Sequence, residues 1–401
     1  MCDGHRPARM DKPLNVALVS ETYPPEVNGV ARTIAIIVEG LRARGHDLTL
    51  VRPRQGPADR ALDESGFGEI LRPGVQIPRY SQLRMGLPSK RALLQTWQRC
   101  RPDLVHIATE GPLGWSALAA ARSLDIPVAT DFHTNFHAYS AHYGFGWIAR
   151  AVAGYLRNFH NRADCTMVPT EEMAQDLERL GFEKLRVVGR GVNSATFSPA
   201  KRDQVLRGRW GATEGTPVAL CVSRFAPEKN FPLVLDAFRA MRAVRPETRL
   251  VLVGDGPMAD ELKRSGLGVV VAGRLVNGAL SAHYASADIF LFPSTTETFG
   301  NVTMEAMASG LAVVAYDYAA ARQHIVHGRS GLLAAVDDRI GFIEHAAALA
   351  RDLPRARSLG RYAREVAEPL GWDKVVVDFE AVLRETIAEH AATAVRRHAA
   401  A

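Results

Sequence analysis

Two glutamates separated by seven residues lie where a predicted helix begins. An apolar run at Asp288–Phe292 predicts a buried strand, and the polar loop after it carries Glu297. A helix is predicted to start near Asn301, with Glu305 about one turn inside it. The unpaired amides of residues 298–301 and the helix dipole favour an anion there. Because a carboxylate would repel phosphate, we expect both glutamates to accept hydrogen bonds from sugar hydroxyls. A glutamate at the helix N-terminus and a solvated helix glutamate would give the same spacing.

Two cations lie just after another predicted strand, Val218–Val222. Arg224 and Lys229 stand in the loop and at the helix start that follow this strand. An arginine fork and a lysine point charge together suit a diphosphate. Positive side chains are unfavourable at a helix N-terminus unless an anion binds there. The pattern therefore favours a diphosphate site, although two surface cations without a ligand would have the same spacing.

The loop at residues 21–29 allows a ligand to approach the backbone closely. Its sequence is ETYPPEVNG, in which two prolines restrict the chain and Gly29 leaves room for a ligand. An ordinary turn explains the same residues. The chain contains no G-x-G-x-x-G motif, so a nicotinamide-dependent dehydrogenase loses its main support.

A histidine follows the predicted strand Val128–Thr130. The segment TDFHTNFH carries His133 and His137, and His133 is expected at the edge of a cleft. A structural histidine is the alternative. No third residue has the spacing of a zinc ligand, and the chain has no Asp-x-Asp triplet. We therefore expect neither a metal ion nor a cofactor.

The charge pattern bears on the partners of the chain. The formal net charge is +6, which favours an anionic partner, although a solvated charged surface would give the same balance. Residues 72–91 mix cations with apolar side chains and could touch anionic lipid, although a charged surface loop is the alternative. A nucleic-acid partner is not expected, because cations with interleaved aromatics cluster nowhere else in the chain. The cations of this segment are Arg72, Arg79, Arg84, Lys90 and Arg91.

The elements that must position these residues alternate between strands and helices. Strand predictions at Asn15–Ser20 and Leu48–Val51 flank a helical pattern, and the same alternation continues to a polar break near Pro199. It then restarts. This order predicts an α/β protein with two Rossmann-like domains, whose parallel sheets face a ligand cleft between them.

The domain boundaries follow from that break. We expect an N-terminal domain at 1–198 on the acceptor side and a C-terminal domain at 199–371 on the donor side. The remainder, 372–401, contains an amphipathic helix at Trp372–Ala388, expected to pack back on the first domain, and a frayed tail at Ala391–Ala401.

Composition points to a cytosolic protein. The four cysteines form no C-x-x-C unit, and the N-terminus has no apolar region of a signal peptide. No apolar run approaches the roughly 18 residues of a membrane span. We expect a cytoplasmic location, at most with peripheral contact at the inner face of the cell membrane.

Taken in order, these motifs resemble the retaining GT-B glycosyltransferases of family 4. The shared motifs are the two glutamates, the SRFAPEKN stretch, GDGP at 254–257, the FHT stretch and the first loop. SETYPPEVNGVA and FHTNFHAYSAHYG are also similar to bacterial GDP-mannose-dependent α-mannosyltransferases and sulfoquinovosyl lipid synthases. The resemblance implies transfer of a hexose, best from GDP-mannose, to a hydroxyl acceptor such as a membrane glycolipid. A UDP-sugar donor is the first alternative; a sugar-nucleotide epimerase and a basic nucleic-acid-binding protein are remoter ones.

The resemblance also implies roles for individual residues. Arg224 and Lys229 would hold the donor diphosphate, and Glu305 would bind the ribose hydroxyls. His133 and Glu297 would be the catalytic residues, beside the reacting sugar. Many relatives carry Gly-Gly in the first loop, whereas Asn28 precedes Gly29 here. The implied donor-binding residues are Gly29, Arg224, Lys229, Arg274, Glu297, Thr298, Phe299, Gly300, Asn301 and Glu305.

Overall fold

A computed structural model describes residues 12–26, 28–77, 80–133 and 146–399. The N-terminal segment, Arg79 and His137 therefore lie outside the described residues. The described strands form one largely parallel sheet, one wholly parallel sheet and one small antiparallel hairpin. Helices separate the strands of both sheets, so the predicted α/β architecture is confirmed.

The N-terminal half supplies the first sheet. Its strand order is β10-β9-β8-β7-β1-β2-β4-β3, and its neighbours are parallel except β3 and β4. The strands of this half are β1 (Asn15–Val19), β2 (Asp47–Pro53), β3 (Asp63–Glu64), β4 (Phe67–Arg72), β5 (Gly74–Ile77), β6 (Tyr80–Gly86), β7 (Leu104–Ile107), β8 (Val128–Asp131), β9 (Cys165–Val168) and β10 (Leu185–Val187). The order reverses at β1, which pairs with β2 on one side and β7 on the other.

The C-terminal half supplies the second sheet. It is parallel throughout, in the order β13-β12-β11-β14-β15-β16. Its strands are β11 (Val218–Val222), β12 (Arg249–Val253), β13 (Val270–Gly273), β14 (Ile289–Phe292), β15 (Ala312–Tyr316) and β16 (Gly331–Ala334). The order reverses between β11 and β14, and ligands bind outside the carboxyl ends of strands at such a point.

Helices cover both faces of each sheet. They are α1 (Gly29–Ala43), α2 (Lys90–Arg99), α3 (Pro112–Ser123), α4 (Gly146–His160), α5 (Glu171–Arg179), α6 (Gln204–Arg209), α7 (Phe231–Val244), α8 (Ala259–Lys263), α9 (Asn277–Ser286), α10 (Asn301–Ala308), α11 (Ala319–His324), α12 (Arg339–Arg351), α13 (Leu353–Ala367) and α14 (Trp372–Ala399). Short 3-10 turns lie at Pro199–Lys201 and Pro227–Lys229. Every described helix is too short or too polar to cross a bilayer.

Hydrophobic patterning explains these elements. The central strands β11 and β14 read VALCV and IFLF, and every residue in them is buried, as expected for strands covered on both faces. Helix α1 buries Ile34, Ile37 and Leu41 on one stripe against the first sheet. Its N-terminus is capped by Asn28, whose side chain accepts a hydrogen bond from the amide of Ala31.

The last helix, α14, returns to the first sheet. Val376, Phe379 and Leu383 are buried in the same apolar core as strands β1 and β2. The expected frayed tail from Ala391 is wrong, because α14 continues to Ala399. The segment is rich in alanine and arginine, which have high helix propensity, so nothing in it ends the helix.

The segment at residues 72–91 is not the basic loop that the sequence predicted. Strands β5 and β6 pair as an antiparallel hairpin, with Val75 opposite Met85, and α2 begins at Lys90. Within these strands, apolar Val75 and Ile77, and Leu83 and Met85, alternate with polar residues, which is the period of two of a strand. Val75, Met85 and Leu87 remain exposed.

The chain passes between the two sheets twice, at neighbouring points. The first passage runs from β10 towards β11 and contains Pro199, where the sequence predicts the domain boundary. The second leads from α13 into α14. The amide of Val192 in the first passage donates to the carbonyl of Leu370 in the second, at 2.9 Å. The two halves are therefore joined by a double connection.

Candidate active site

A cavity of about 440 Å³ lies between the two halves. The segments that line it follow strands β8, β9 and β10 of the first sheet and β11 and β14 of the second, together with the start of α1. This is the carboxyl edge of both sheets, where open α/β sheets bind their ligands. The predicted site residues that line it are Gly29, His133, Arg224, Lys229, Glu297, Thr298, Phe299, Gly300 and Asn301.

Lys229 and Glu297 form a polar cluster at the wall of this cavity. The Nζ atom of Lys229 lies 2.5 Å from Oε1 of Glu297, and Oγ of Ser294 donates to the same oxygen at 2.7 Å. Both charged side chains are mostly buried, at 17% and 16% exposed. Glu297 therefore fixes the ammonium group at the edge of the site, and the sequence did not reveal this contact.

Arg224 is much freer than Lys229. Its side chain is 54% exposed and pairs with Glu228, four residues later in the chain, at 2.8 Å. Because the guanidinium itself is half exposed, while Glu228 is mostly buried, Arg224 can turn away from this partner towards a stronger anion. The structure thus brings one fixed and one movable cation to the same cavity.

The GDGP turn holds the loop that carries Arg224. Gly254 has a φ of +147°, and a Cβ atom there would lie 1.8 Å from the carbonyl oxygen of Ser223. Only glycine fits so close an approach. A second cavity, of about 390 Å³, adjoins this turn and is lined by Arg224, Gly256 and Arg274. Arg274 therefore lies beside the first cavity, and Ser223 and Arg224 line both.

The N-terminus of α10 points its first amides at the cavity wall. Gly300, with a φ of +94°, is the residue before the helix, and no side chain caps it among the described residues. Asn301 and Val302 of the first turn line the cavity. Uncapped amides and the helix dipole attract an anion, and the cations Lys229 and Arg224 line the same space.

Glu305 lies on α10 but is buried rather than open to the cavity. Its Oε1 accepts a hydrogen bond from Arg32 of α1 at 2.7 Å, and its Oε2 accepts one from Tyr284 at 3.0 Å. Burial raises the pKa of Glu305, while Arg32 and Tyr284 act in the opposite direction. Because Glu305 is buried, a ligand reaches this carboxylate only if a neighbouring side chain moves, and Arg32, which is 50% exposed, is the easier to move.

His133 is held by a buried carboxylate. Its Nε2 lies 3.3 Å from Oδ2 of Asp131, and Nε2 of His106 lies 3.4 Å from the same oxygen. Burial raises the pKa of Asp131, but the two histidines outweigh it and hold that pKa well below its usual value. Among the described residues no group of three possible metal ligands is found. The second histidine of this motif, His137, lies outside them.

Comparison with the sequences of known proteins shows which family this chain belongs to. Residues 27–196 match the family described as Glycosyltransferase Family 4, and residues 216–352 match Glycosyl transferases group 1. A GDP-mannose-dependent alpha-mannosyltransferase of Mycolicibacterium smegmatis is 34% identical over 92% of this chain and 98% of its own length. The chain belongs to Glycosyltransferase Family 4. The sulfoquinovosyl transferase SQD2 of Arabidopsis thaliana is 30% identical to this glycosyltransferase, over 91% of this chain and 72% of SQD2.

Solved structures agree with the fold of this family 4 enzyme. Sucrose-phosphate synthase from Thermosynechococcus elongatus superposes with a TM-score of 0.76 at 19% identity, covering 94% of this chain and all of that one. HepE from Anabaena, in complex with UDP and glucose, gives 0.71 at 19% identity, covering 93% and 100%. The predicted GT-B architecture and hexosyltransferase class are confirmed.

Proposed function

We propose that this glycosyltransferase moves a mannosyl group from GDP-mannose to a hydroxyl acceptor, with retention of the anomeric configuration and without a metal ion. The observation that carries the proposal is the meeting of Arg224, Lys229 and the N-terminus of α10 at one cavity. Support for the sugar and base comes from relatives named as GDP-mannose-dependent mannosyltransferases, one of them 34% identical over 92% of this chain.

The donor occupies the two adjoining cavities in this proposal. Its diphosphate lies between Arg224, Lys229 and the first amides of α10, where charge and hydrogen-bond donors converge. Its base enters the cavity beside Arg274. The ribose hydroxyls reach Glu305, where they replace Arg32. Gly29 at the start of α1 allows the first loop to approach the phosphates.

The reaction needs no protein nucleophile in this scheme. The bond between the anomeric carbon and the diphosphate oxygen breaks, and Lys229 and the amides of α10 stabilise the charge that develops on the diphosphate. The acceptor oxygen bonds to the same face of the sugar, and its proton passes to a diphosphate oxygen. Glu297 and His133 position the hexose, and closure of the cleft keeps water away.

A nucleotide-sugar panel tests the donor. We expect GDP-mannose to raise the melting temperature of the wild type by several degrees, because a ligand bound only by the folded chain stabilises it. Arg224→Ala and Glu305→Ala are expected to lose this shift. Arg239→Ala is the matched control, because Arg239 is equally exposed, at 54%, and pairs with Asp236 on α7. A shift with UDP-glucose alone would overturn the GDP assignment, and an unchanged response in both site variants would overturn the site.

The acceptor in this proposal is a lipid-linked sugar reached from an anionic membrane surface. The hairpin of β5 and β6 exposes Val75 and Met85, and exposed Lys90 and Arg91 follow it. Apolar side chains flanked by cations suit such a surface.

Vesicle flotation tests this surface. Replacing Lys90 and Arg91 by glutamine is expected to weaken binding to vesicles with phosphatidylserine roughly tenfold or more, since each cation contributes about 1 kcal/mol. Replacing exposed Arg179 and Lys374 is the control. Equal binding of both double variants, or equal binding to neutral vesicles, would contradict membrane contact through this hairpin.

A further inference from the structure

An arginine of the N-terminal half faces the cavity without a carboxylate partner. Arg190 follows β10 and lines the same space as His133, Arg224 and Lys229. Only 8% of the residue is exposed. Its Nη1 donates to the carbonyls of Val188 and Gly189, at 3.2 and 3.3 Å. No carboxylate of the described residues lies within 4.0 Å of its guanidinium.

A buried guanidinium without a counter-ion is an unusual and costly arrangement. Burial lowers the pKa of Arg190, and only the more distant charge of Asp131 acts against this. Asp131 is itself shared between His106 and His133. Arginine nevertheless stays protonated in proteins and carries five N–H donors. Among the described residues, the hydrogen bonds of Arg190 use Nη1 alone, so Nε and Nη2 remain to bind a ligand.

We propose that Arg190 binds an anionic oxygen group of a substrate, a phosphate or a carboxylate, from the N-terminal side of the cavity. This inference rests on the proposed transferase function and adds a binding residue opposite Arg224 and Lys229. Two sources fit the chemistry: the donor diphosphate, and an acidic group on the acceptor near the attacked hydroxyl. The motifs of the sequence did not single out Arg190, because its burial and its lack of a carboxylate partner appear only in the fold.

Calorimetry with Arg190→Gln and Arg190→Lys distinguishes the two sources. If Arg190 binds the donor, the glutamine variant loses affinity for GDP by roughly ten- to a hundred-fold, the contribution of a charged hydrogen bond, while the lysine variant loses less. If Arg190 binds the acceptor, GDP affinity is retained. The Michaelis constant, measured in steady-state assays, then rises for a phosphatidylinositol mannoside and stays unchanged for monoglucosyldiacylglycerol, two lipid-linked sugars supplied in vesicles as acceptor probes with and without a phosphate.

Matched controls separate binding from folding. Arg186→Gln changes a cation on β10, the strand before Arg190, where it pairs with exposed Glu389, and it should leave both affinities unchanged. Circular dichroism and melting temperature show whether the Arg190 variants fold. An Arg190→Gln variant that folds and retains both GDP affinity and the acceptor constants of the wild type would overturn the inference.

Failure of the proposed donor is a separate result. A wild type that binds inorganic pyrophosphate but neither GDP nor UDP would refute a GDP-sugar or UDP-sugar donor. The Arg190 comparison would then be made with pyrophosphate itself. Loss of pyrophosphate affinity in Arg190→Gln, but not in Arg186→Gln, would still support an anion site at Arg190, and equal affinity in the two variants would refute it.

Discussion

The side chain of Lys229 both pairs with Glu297 and, in the proposed mechanism, contacts the donor diphosphate. It is held 2.5 Å from Glu297, and in the proposed mechanism it neutralises the diphosphate that leaves. A fixed donor aimed at developing charge needs no rearrangement during the reaction, which makes it an effective electrostatic catalyst. Glu297 therefore affects the reaction partly through the position that it gives to Lys229.

The substitution Lys229→Met tests this role. We expect kcat/KM to fall roughly 10²- to 10³-fold, the range found when one preorganised donor is removed. Steady-state kinetics with the donor found in the panel gives the measurement. Lys263→Met, which changes an exposed lysine of α8, is the control for loss of a lysine. Activity within a few-fold of the wild type would show that Lys229 has a structural role alone.

Contacts between distant residues limit what the sequence can reveal about the site. Arg224, Lys229 and Glu297 were predicted because each follows a strand with a clear apolar pattern. The partners of the site residues were missed: Arg32, for example, lies 273 positions from Glu305, with which it pairs. Asp131 and Arg190 owe their importance to burial among charged groups, which no local spacing encodes. The predicted roles themselves await the kinetic experiments.

The C-terminal helix illustrates how an element is fixed by both packing and charge. Glu380 of α14 accepts hydrogen bonds from Arg44, which is the first residue after α1, and from Arg384 on its own helix. Nε2 of His46 lies 3.2 Å from the same carboxylate. Burial raises the pKa of Glu380, but these three partners outweigh it and lower the pKa to about 2.

This carboxylate makes stability depend on pH in acid. A carboxyl with a folded pKa of about 2 and an ordinary value of 4.5 stabilises the fold fully above pH 4.5. Its contribution disappears as the pH falls from there to about 2. In Glu380→Gln the free energy of unfolding, measured by urea titration, should change less over this range than in the wild type. Glu385→Gln, on the exposed side of α14, should keep the wild-type slope. Equal slopes for all three proteins would contradict the assignment.

The bounds predicted from the sequence agree with the structure for strands that are completely buried. Strands β11 and β14 have the predicted bounds or differ by one residue, because continuous apolar runs between turns have few alternative structures. The hairpin of β5 and β6 and the end of α14 were not predicted correctly. Both are partly exposed, so their polar residues resemble those of loops and frayed ends.

At the scale of the whole molecule, Arg32 and Glu305 link the two halves across the cleft. The pair joins α1 to α10 at 2.7 Å, and its carboxylate is buried while its guanidinium is half exposed. Such a contact favours this arrangement of the two halves when no ligand is present, as does the ion pair of Glu172 with Arg322. The proposed donor replaces Arg32 at Glu305 and so breaks this ion pair. The two halves are therefore held together by different contacts in the ligand-free and the donor-bound protein.

Small-angle scattering tests this link. We expect ligand-free Arg32→Gln to have a larger radius of gyration than the wild type at low ionic strength. The difference should shrink at about 1 M salt, where the screening length is about 3 Å. Arg42→Gln removes a cation from the same helix that pairs with Glu64 within the first half, and it should leave the radius unchanged. Identical profiles for Arg32→Gln and the wild type at low salt would refute the link.

The return of α14 to the first sheet has a consequence for how the protein is made. The N-terminal half emerges from the ribosome first. Part of its apolar core is covered by Val375, Phe379 and Leu383, which are translated only after the rest of the second half. The nascent first half therefore exposes an apolar patch while some 180 further residues are added, a delay of about 10 to 40 seconds at typical elongation rates. During that interval it depends on chaperones, or on its own solubility, to escape aggregation.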